Sequence, residues 1–179
     1  SYAYTAENRL LSVLEPDGDR WDYGYDALGS LDSITRNGVV TRYLWDPSEV
    51  GGIVAEADGS GQVARRYYHG LGLLATSGVE ATDLSYYAFD AAGHTRQVTD
   101  PQGTVAARYE YDPFGQVRDG PTGDRNPFRY AGLWGVIDDG TGLLQTRERA
   151  FSPADGRFLS VDPTRWSAGS LYAYGENSP

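Results

Sequence analysis

Cysteine, methionine and lysine are all absent from these 179 residues. Without cysteine there is neither a disulfide framework nor a thiolate metal site, and pairing says nothing about redox compartment. With lysine missing, the 15 basic residues are all arginine, set against 25 acids for a net charge of −10. That balance lacks the basic face that tracking a phosphate backbone requires, so nucleic acid is not expected as a partner. No apolar run approaches the roughly 18 residues of a membrane-crossing helix, and no membrane insertion by this segment is expected. The opening SYAYTAENRL has neither a methionine nor the charged-then-apolar order of a signal peptide, and reads as the interior of a longer chain.

Histidine is scarce as well. Only His69 and His94 occur, no GxSxG elbow accompanies them, and both are expected in turns or at the surface. EPDGDRWD from Glu15 lacks the spacing of a calcium loop, and GLGL from Gly70 lacks the helix and lysine of a phosphate cradle. No metal or cofactor is therefore expected. A sustained 3.6-residue period is also missing; VEATDLSYY from Val79 comes nearest and is short and capless.

What the chain has is tyrosine, 14 of them, in a recurring phrase. YEYDPFGQV at Tyr109 returns as YGYDALGSL at Tyr23, YLWDPSEVGG at Tyr43, YYHGLGLL at Tyr67 and YAFDAAGHT at Tyr87. Taking the residue after the second aromatic gives Thr5, Asp26, Asp46, His69, Asp90, Asp112 and Ala131, a period near 21 residues. Such a period belongs to stacked units, none of which buries its own face alone. Aromatics at i and i+2 share one face of a strand, so Tyr23, Tyr25, Phe89, Tyr109 and Tyr111 are expected on a common side. The Asp can accept a backbone N–H two residues on, and the Gly supplies a positive φ, making DALG, DAAG and DPFG one kind of turn. PDG, RNG, ADGSG and DPQG form a second set of turns between them. Each unit reads as a β-hairpin joined by another hairpin turn. An ordinary antiparallel barrel or sandwich with evenly spaced turns is the alternative.

From Phe128 the character changes. TGLLQTRERAFSPADGRFLSVDP followed by LYAYGENSP resembles the Rhs repeat-associated core, and the upstream units resemble YD repeats. The resemblance implies an all-β fold: stacked antiparallel YD-repeat hairpins forming part of a β-spiral shell closed by the Rhs core. It divides the chain into a hairpin array, 1–128, and a core, 129–179. Polymorphic bacterial toxins, the C component of insecticidal toxin complexes and animal teneurins share this build. The implied partners are the rest of the polypeptide shell and a C-terminal effector, with secretion-apparatus or toxin-complex components, at a secreted or cell-surface location.

In the toxins of this group an aspartyl autoprotease releases the effector, using acids from two DPxG-like motifs. Carried onto this chain, the first acid is Asp162, in SVDPTRW, with Arg165 standing where glycine is usual. Pro179 matches the proline that opens PxxxxDPxGL, so the second acid and the cut are expected beyond it. Where relatives read YDP this chain has Ser152, expected to cap a turn in the acid's place. An aspartyl site needs two carboxylates sharing one proton. Asp138, Asp139 and Asp155 are expected to be solvated turn acids rather than substitutes for the second. Trp21, Trp45, Trp134 and Trp166 fit packing between hairpins or, alternatively, a carbohydrate-stacking surface. The three readings are a shell segment, half of an autoprotease, and a teneurin-like or carbohydrate-binding surface module.

Overall fold

The computed structural model describes residues 1–46, 52–80, 82–121, 126–162 and 171–174. Among them, eleven strands form one antiparallel sheet in strict chain order. These are β1 (Tyr2–Tyr4), β2 (Leu10–Leu14), β3 (Arg20–Tyr25), β4 (Leu31–Arg36), β5 (Val39–Trp45), β6 (Ile53–Asp58), β7 (Val63–His69), β8 (Leu73–Ser77), β9 (Leu84–Phe89), β10 (Thr95–Thr99) and β11 (Val105–Arg108). A separate hairpin follows, β12 (Glu110–Tyr111) and β13 (Val117–Asp119). A four-stranded sheet of β14 (Ile137–Asp138), β15 (Leu144–Gln145), β16 (Ala150–Ser152) and β17 (Arg157–Phe158) completes the fold. The all-β expectation holds, and two strands per unit account for the 21-residue period.

The turns follow from the Asp. Asp26 Oδ1 accepts the amides of Leu28 at 2.9 Å and Ser30 at 2.8 Å, and Asp112 Oδ1 accepts those of Phe114 and Gln116, both at 2.9 Å. Asp58, Asp90 and Asp100 do the same at their +2 and +4 amides. Three residues after each stands a glycine at positive φ, from +81° at Gly103 to +97° at Gly115. Asp58 and Asp100 belong to the second set of turns, so both ends of the sheet use one device. Two turns differ: in PDG, Glu15 holds the Asp position before Gly18, and in RNG, Asn37 and Gly38 both have positive φ, as a two-residue hairpin turn demands. TAEN at Thr5 is a degenerate copy: Thr5 Oγ1 takes an amide at 3.3 Å and Asn8 replaces the glycine at φ 62°.

Alternation makes the sheet two-faced. Val13, Trp21, Tyr23, Ile34, Tyr43, Tyr67 and Val98 are buried on one face, while Arg42, Arg66 and Arg96 point the other way and are exposed. Tyr87 and Phe89 stack nearly parallel at 5.9 Å, and Tyr109 and Tyr111 at 6.3 Å, as residues two apart on one strand face should.

The second aromatic of a unit also ties its strand to the previous unit. Tyr25 Oη donates to the Leu10 carbonyl at 2.8 Å, Trp45 Nε1 to Leu31 at 2.7 Å, and Tyr111 Oη to Thr95 at 2.7 Å. His69 Nε2 bonds the Ile53 carbonyl at 2.8 Å. His69 therefore occupies the second-aromatic position, and Gly70, not His69, stands where Asp is usual. The sequence register for this unit was off by one residue.

The chain then lays itself across the aromatic face. Phe128, Ile137, Leu143 and Ala150 join one buried cluster with Trp21, Tyr23, Ile53, Tyr67 and Leu73. Phe128 meets Tyr67 edge to face at 4.8 Å, and its burial contributes about 2–3 kcal/mol. The aromatic pair Phe128 and Tyr130, read from spacing as a seventh unit, forms no strand; it begins this inner layer instead.

Candidate functional site

Asp162, the expected catalytic acid, lies just past β17, where its amide bonds the Leu171 carbonyl at 3.0 Å. Phe158 N to Tyr172 O, also 3.0 Å, continues that pairing. Tyr174, from the LYAY motif, packs at 4.6 Å on Phe151 and 5.9 Å on Phe158, so the motif anchors the strands that carry the site. Pro163, Arg165, Trp166 and Pro179 lie outside the described residues.

The side chain facing Asp162 is Arg149, which the sequence reading missed. Its Nη2 is 3.1 Å from Asp162 Oδ2, and its guanidinium lies 3.7 Å over the Phe158 ring. The Thr146 amide and hydroxyl both bond the Arg149 carbonyl, and the hydroxyl accepts the Arg149 amide, closing the tight turn that sets it there. Both side chains are about four-fifths buried, which strengthens a charge-assisted bond by removing competing water. Arg149 Nη1 is buried and, among the described residues, has no hydrogen-bond partner. The arrangement fixes one carboxylate in place; it does not by itself supply a proton-sharing pair. The hint in the sequence was TRERAFS, a basic residue directly before an apolar strand.

Of the three other acids, Asp155 falls as expected and Asp138 and Asp139 do not. Asp155 is exposed in its turn, where Ser152 Oγ accepts the Asp155 amide at 3.3 Å and so caps the turn as expected. Asp138 is not a free turn acid: it pairs with Arg129 at 2.9 Å. Asp139 is not solvated either. It accepts Tyr23 Oη at 2.6 Å, Gln145 Nε2 at 2.8 Å and both the amide and hydroxyl of Thr141. Burial pushes its carboxyl above the ordinary range, and the surrounding donors only partly offset this. Trp21 Nε1 adds a bond to the Asp139 carbonyl at 3.2 Å, so this residue clasps the inner layer to β3. A cavity of about 550 Å³ remains beside the clasp, lined by Trp21, Tyr43, Glu56, Arg129 and Asp138.

The histidines are likewise more than surface residues. His69 is part of the inter-unit tie. His94 stacks on Tyr130 at 4.0 Å, and its Nδ1 accepts the Ala131 amide at 2.9 Å. Of the tryptophans, Trp21 and Trp45 pack between hairpins and inner layer, whereas Trp134 is 66% exposed. Among the described residues no helix is long and apolar enough to cross a membrane.

A sequential antiparallel meander of hairpin units, lined on one face by the chain's own continuation, defines a stacked-hairpin repeat protein. The RHS Repeat family matches residues 4–36 and 89–125. Across the whole chain it is 32% identical to the tRNA3(Ser)-specific nuclease WapA of Bacillus spizizenii, spanning 8% of that protein. It is 29% identical to the probable deoxyribonuclease RhsB of Dickeya dadantii over 98% of this chain and 13% of that one. The TcdB2-TccC3 crystal structure superposes on all of it with a TM-score of 0.74 at 19% identity, over 10% of the larger chain. The Photorhabdus luminescens Tc holotoxin pore does so at 0.73, also with 19% identity, 100% of this chain and 10% of that one. The chain belongs to the Rhs/YD-repeat family. It spans about a tenth of the length of these relatives.

Proposed function

We propose that this chain is a wall segment of an encapsulating β-shell in a toxin-type protein, with 1–128 as hairpin array and 129–179 as the core that lines or closes it. The observation that carries this reading is the one-sided sheet: eleven strands in chain order, one face aromatic and covered by the chain's own later residues. The partners that go with it are the remaining shell, a C-terminal effector and toxin-complex or secretion components, at a secreted or cell-surface location. Limited proteolysis of the protein extended past Pro179 tests it. The downstream segment should survive protease while the protein is folded and be digested after denaturation; equal digestion in both states removes the shell reading.

A second reading, favoured by the Arg149–Asp162 pair, makes Asp162 one acid of a self-cleaving aspartyl site completed past Pro179. The guanidinium would hold the Asp162 carboxylate, and the unfilled Nη1 would meet a second acceptor brought by the downstream chain. One carboxylate cannot serve as both base and acid, so the chain ending at Pro179 is expected not to cut itself. In the extended protein, Asp162→Asn should abolish release of the downstream segment, read by mass spectrometry, while leaving the fold intact. Equal cleavage in both proteins removes Asp162 from the mechanism. The carbohydrate-binding alternative is weakened by the packing of Trp21 and Trp45.

A further inference from the structure

We propose that His94 is a proton-operated latch between the hairpin sheet and the turn that begins the inner layer. The Ala131 amide donates to Nδ1 at 2.9 Å, so Nδ1 must be bare and a neutral ring carries its proton on Nε2. Protonation places a hydrogen on Nδ1 facing the Ala131 N–H. Two donors then oppose each other, and the Ala131 amide loses its acceptor.

That bond closes a turn with several dependents. Ala131 sits in the left-handed region at φ 52°, a conformation that a non-glycine residue keeps only under tertiary restraint. The following residues dock on the same DAAGH turn: Leu133 N donates to Gly93 O at 3.1 Å, and Trp134 Nε1 to Ala92 O at 3.2 Å. Thr95 N donates to Arg129 O at 2.9 Å from the adjoining strand. Residues 129–134 thus hang on one loop, and His94 is the titratable member of the contact.

Each group around the ring bears on the charge. Asp90, on its own turn, favours the imidazolium, and Arg96, on β10, opposes it. Tyr111 from β12 and Tyr130 from the inner layer face the ring and are neutral near pH 7, while Asp112 approaches from beyond Tyr130. Burial is the largest influence and disfavours the cation, in agreement with an amide pointed at bare nitrogen. The closed contact is therefore present above the ordinary histidine range and is lost as pH falls through it. Acid loosens the inner layer from the sheet at this end while the Asp139 clasp, at the other, gains its proton.

Hydrogen exchange of the full chain, corrected for intrinsic rates, tests the latch at the Ala131, Leu133 and Trp134 amides. Opening should increase between pH 7.5 and pH 5.5, by up to about tenfold, the limit set by an open ring of ordinary pKa and a closed ring whose pKa is lowered. In His94→Asn, whose Oδ1 can take the amide but does not titrate, exchange at these sites should be flat over the same range. An equal acid response in the variant, or none in the wild type, overturns the proposal. Should the variant fail to fold, ¹⁵N spectra of wild-type imidazole decide the matter: a protonated Nδ1 at pH 7.5, or an Ala131 amide indifferent to the His94 titration, overturns it as well.

Discussion

Tyr25 gives its hydroxyl proton to the backbone carbonyl of Leu10, one hairpin unit earlier and 2.8 Å away. Tyr111 does the same to Thr95 at 2.7 Å. Each phenol meets its carbonyl beside a register shift in the strand ladder. Tyr25→Phe and Tyr111→Phe should each lower stability by about 1 kcal/mol, from a lost bond and a half-buried carbonyl left dry. The sites lie in different units, so the double variant should lose the sum. Urea unfolding measures it; no change in midpoint for either variant would mean that water replaces the phenol.

Asp112 holds the amides of Phe114 and Gln116 with one oxygen. Asp112→Ala should cost about 1–2 kcal/mol, in the range of a lost helix N-cap, while Asp112→Asn, which keeps an acceptor, should cost less than half of that. Thermal unfolding of the two variants beside wild type checks the order; equal losses would show that charge rather than acceptor geometry matters.

Gly93 and Gly18 both have positive φ, +89° and +98°, but differ in surroundings. A methyl at Gly93 meets the Trp134 indole, and one at Gly18 meets nothing within 4 Å. Gly18→Ala should cost about 1 kcal/mol for backbone strain alone, and Gly93→Ala at least about 1 kcal/mol more. Trp134 fluorescence should shift only in the second variant. Equal destabilisation would deny the indole its place on the turn.

Asp139 has a carboxyl raised above its unfolded value, so near and above that value the folded chain binds the extra proton. Its influence therefore runs opposite to that of a salt-bridged acid: stability is greater at low pH and declines as pH rises from about 4 through the raised folded pKa. Subtracting the Asp139→Asn stability curve from the wild-type curve should expose that decline. A difference that instead grows with pH would mean that the four donors outweigh burial. Asp139→Ala should cost about 3 kcal/mol at neutral pH, since Tyr23 and Gln145 lose their acceptor.

The turns and faces were legible because they rest on local chemistry. An Asp, a glycine three residues on and aromatics two apart dictate a bend and a side without reference to the rest of the chain. His69 misled because its ring imitates a tyrosine's reach, which only the distance to the Ile53 carbonyl reveals. Phe128 and Tyr130 kept the spacing of a unit yet left the sheet, since NPF removes a strand amide with proline and brings Asn126, whose side chain bonds the Phe128 amide and carbonyl. Asp139 reads as a turn acid in DDGTG, and it is one; its burial comes from Tyr23, more than a hundred residues away in sequence. Arg149 was hinted at only by its place before an apolar strand, because its partner is defined by how two short strands fold together.

The ties made by the second aromatic position end on main-chain oxygens, at Leu10, Leu31, Ile53 and Thr95. A lock that recognises only peptide oxygen is indifferent to which unit supplies it. Duplication or loss of a whole unit therefore regenerates these ties without a compensating substitution, whereas an insertion of half a unit reverses strand direction and breaks the tie at that junction. Such a sheet can lengthen over evolutionary time in steps of about 21 residues, so its extent is inherited as a number of copies.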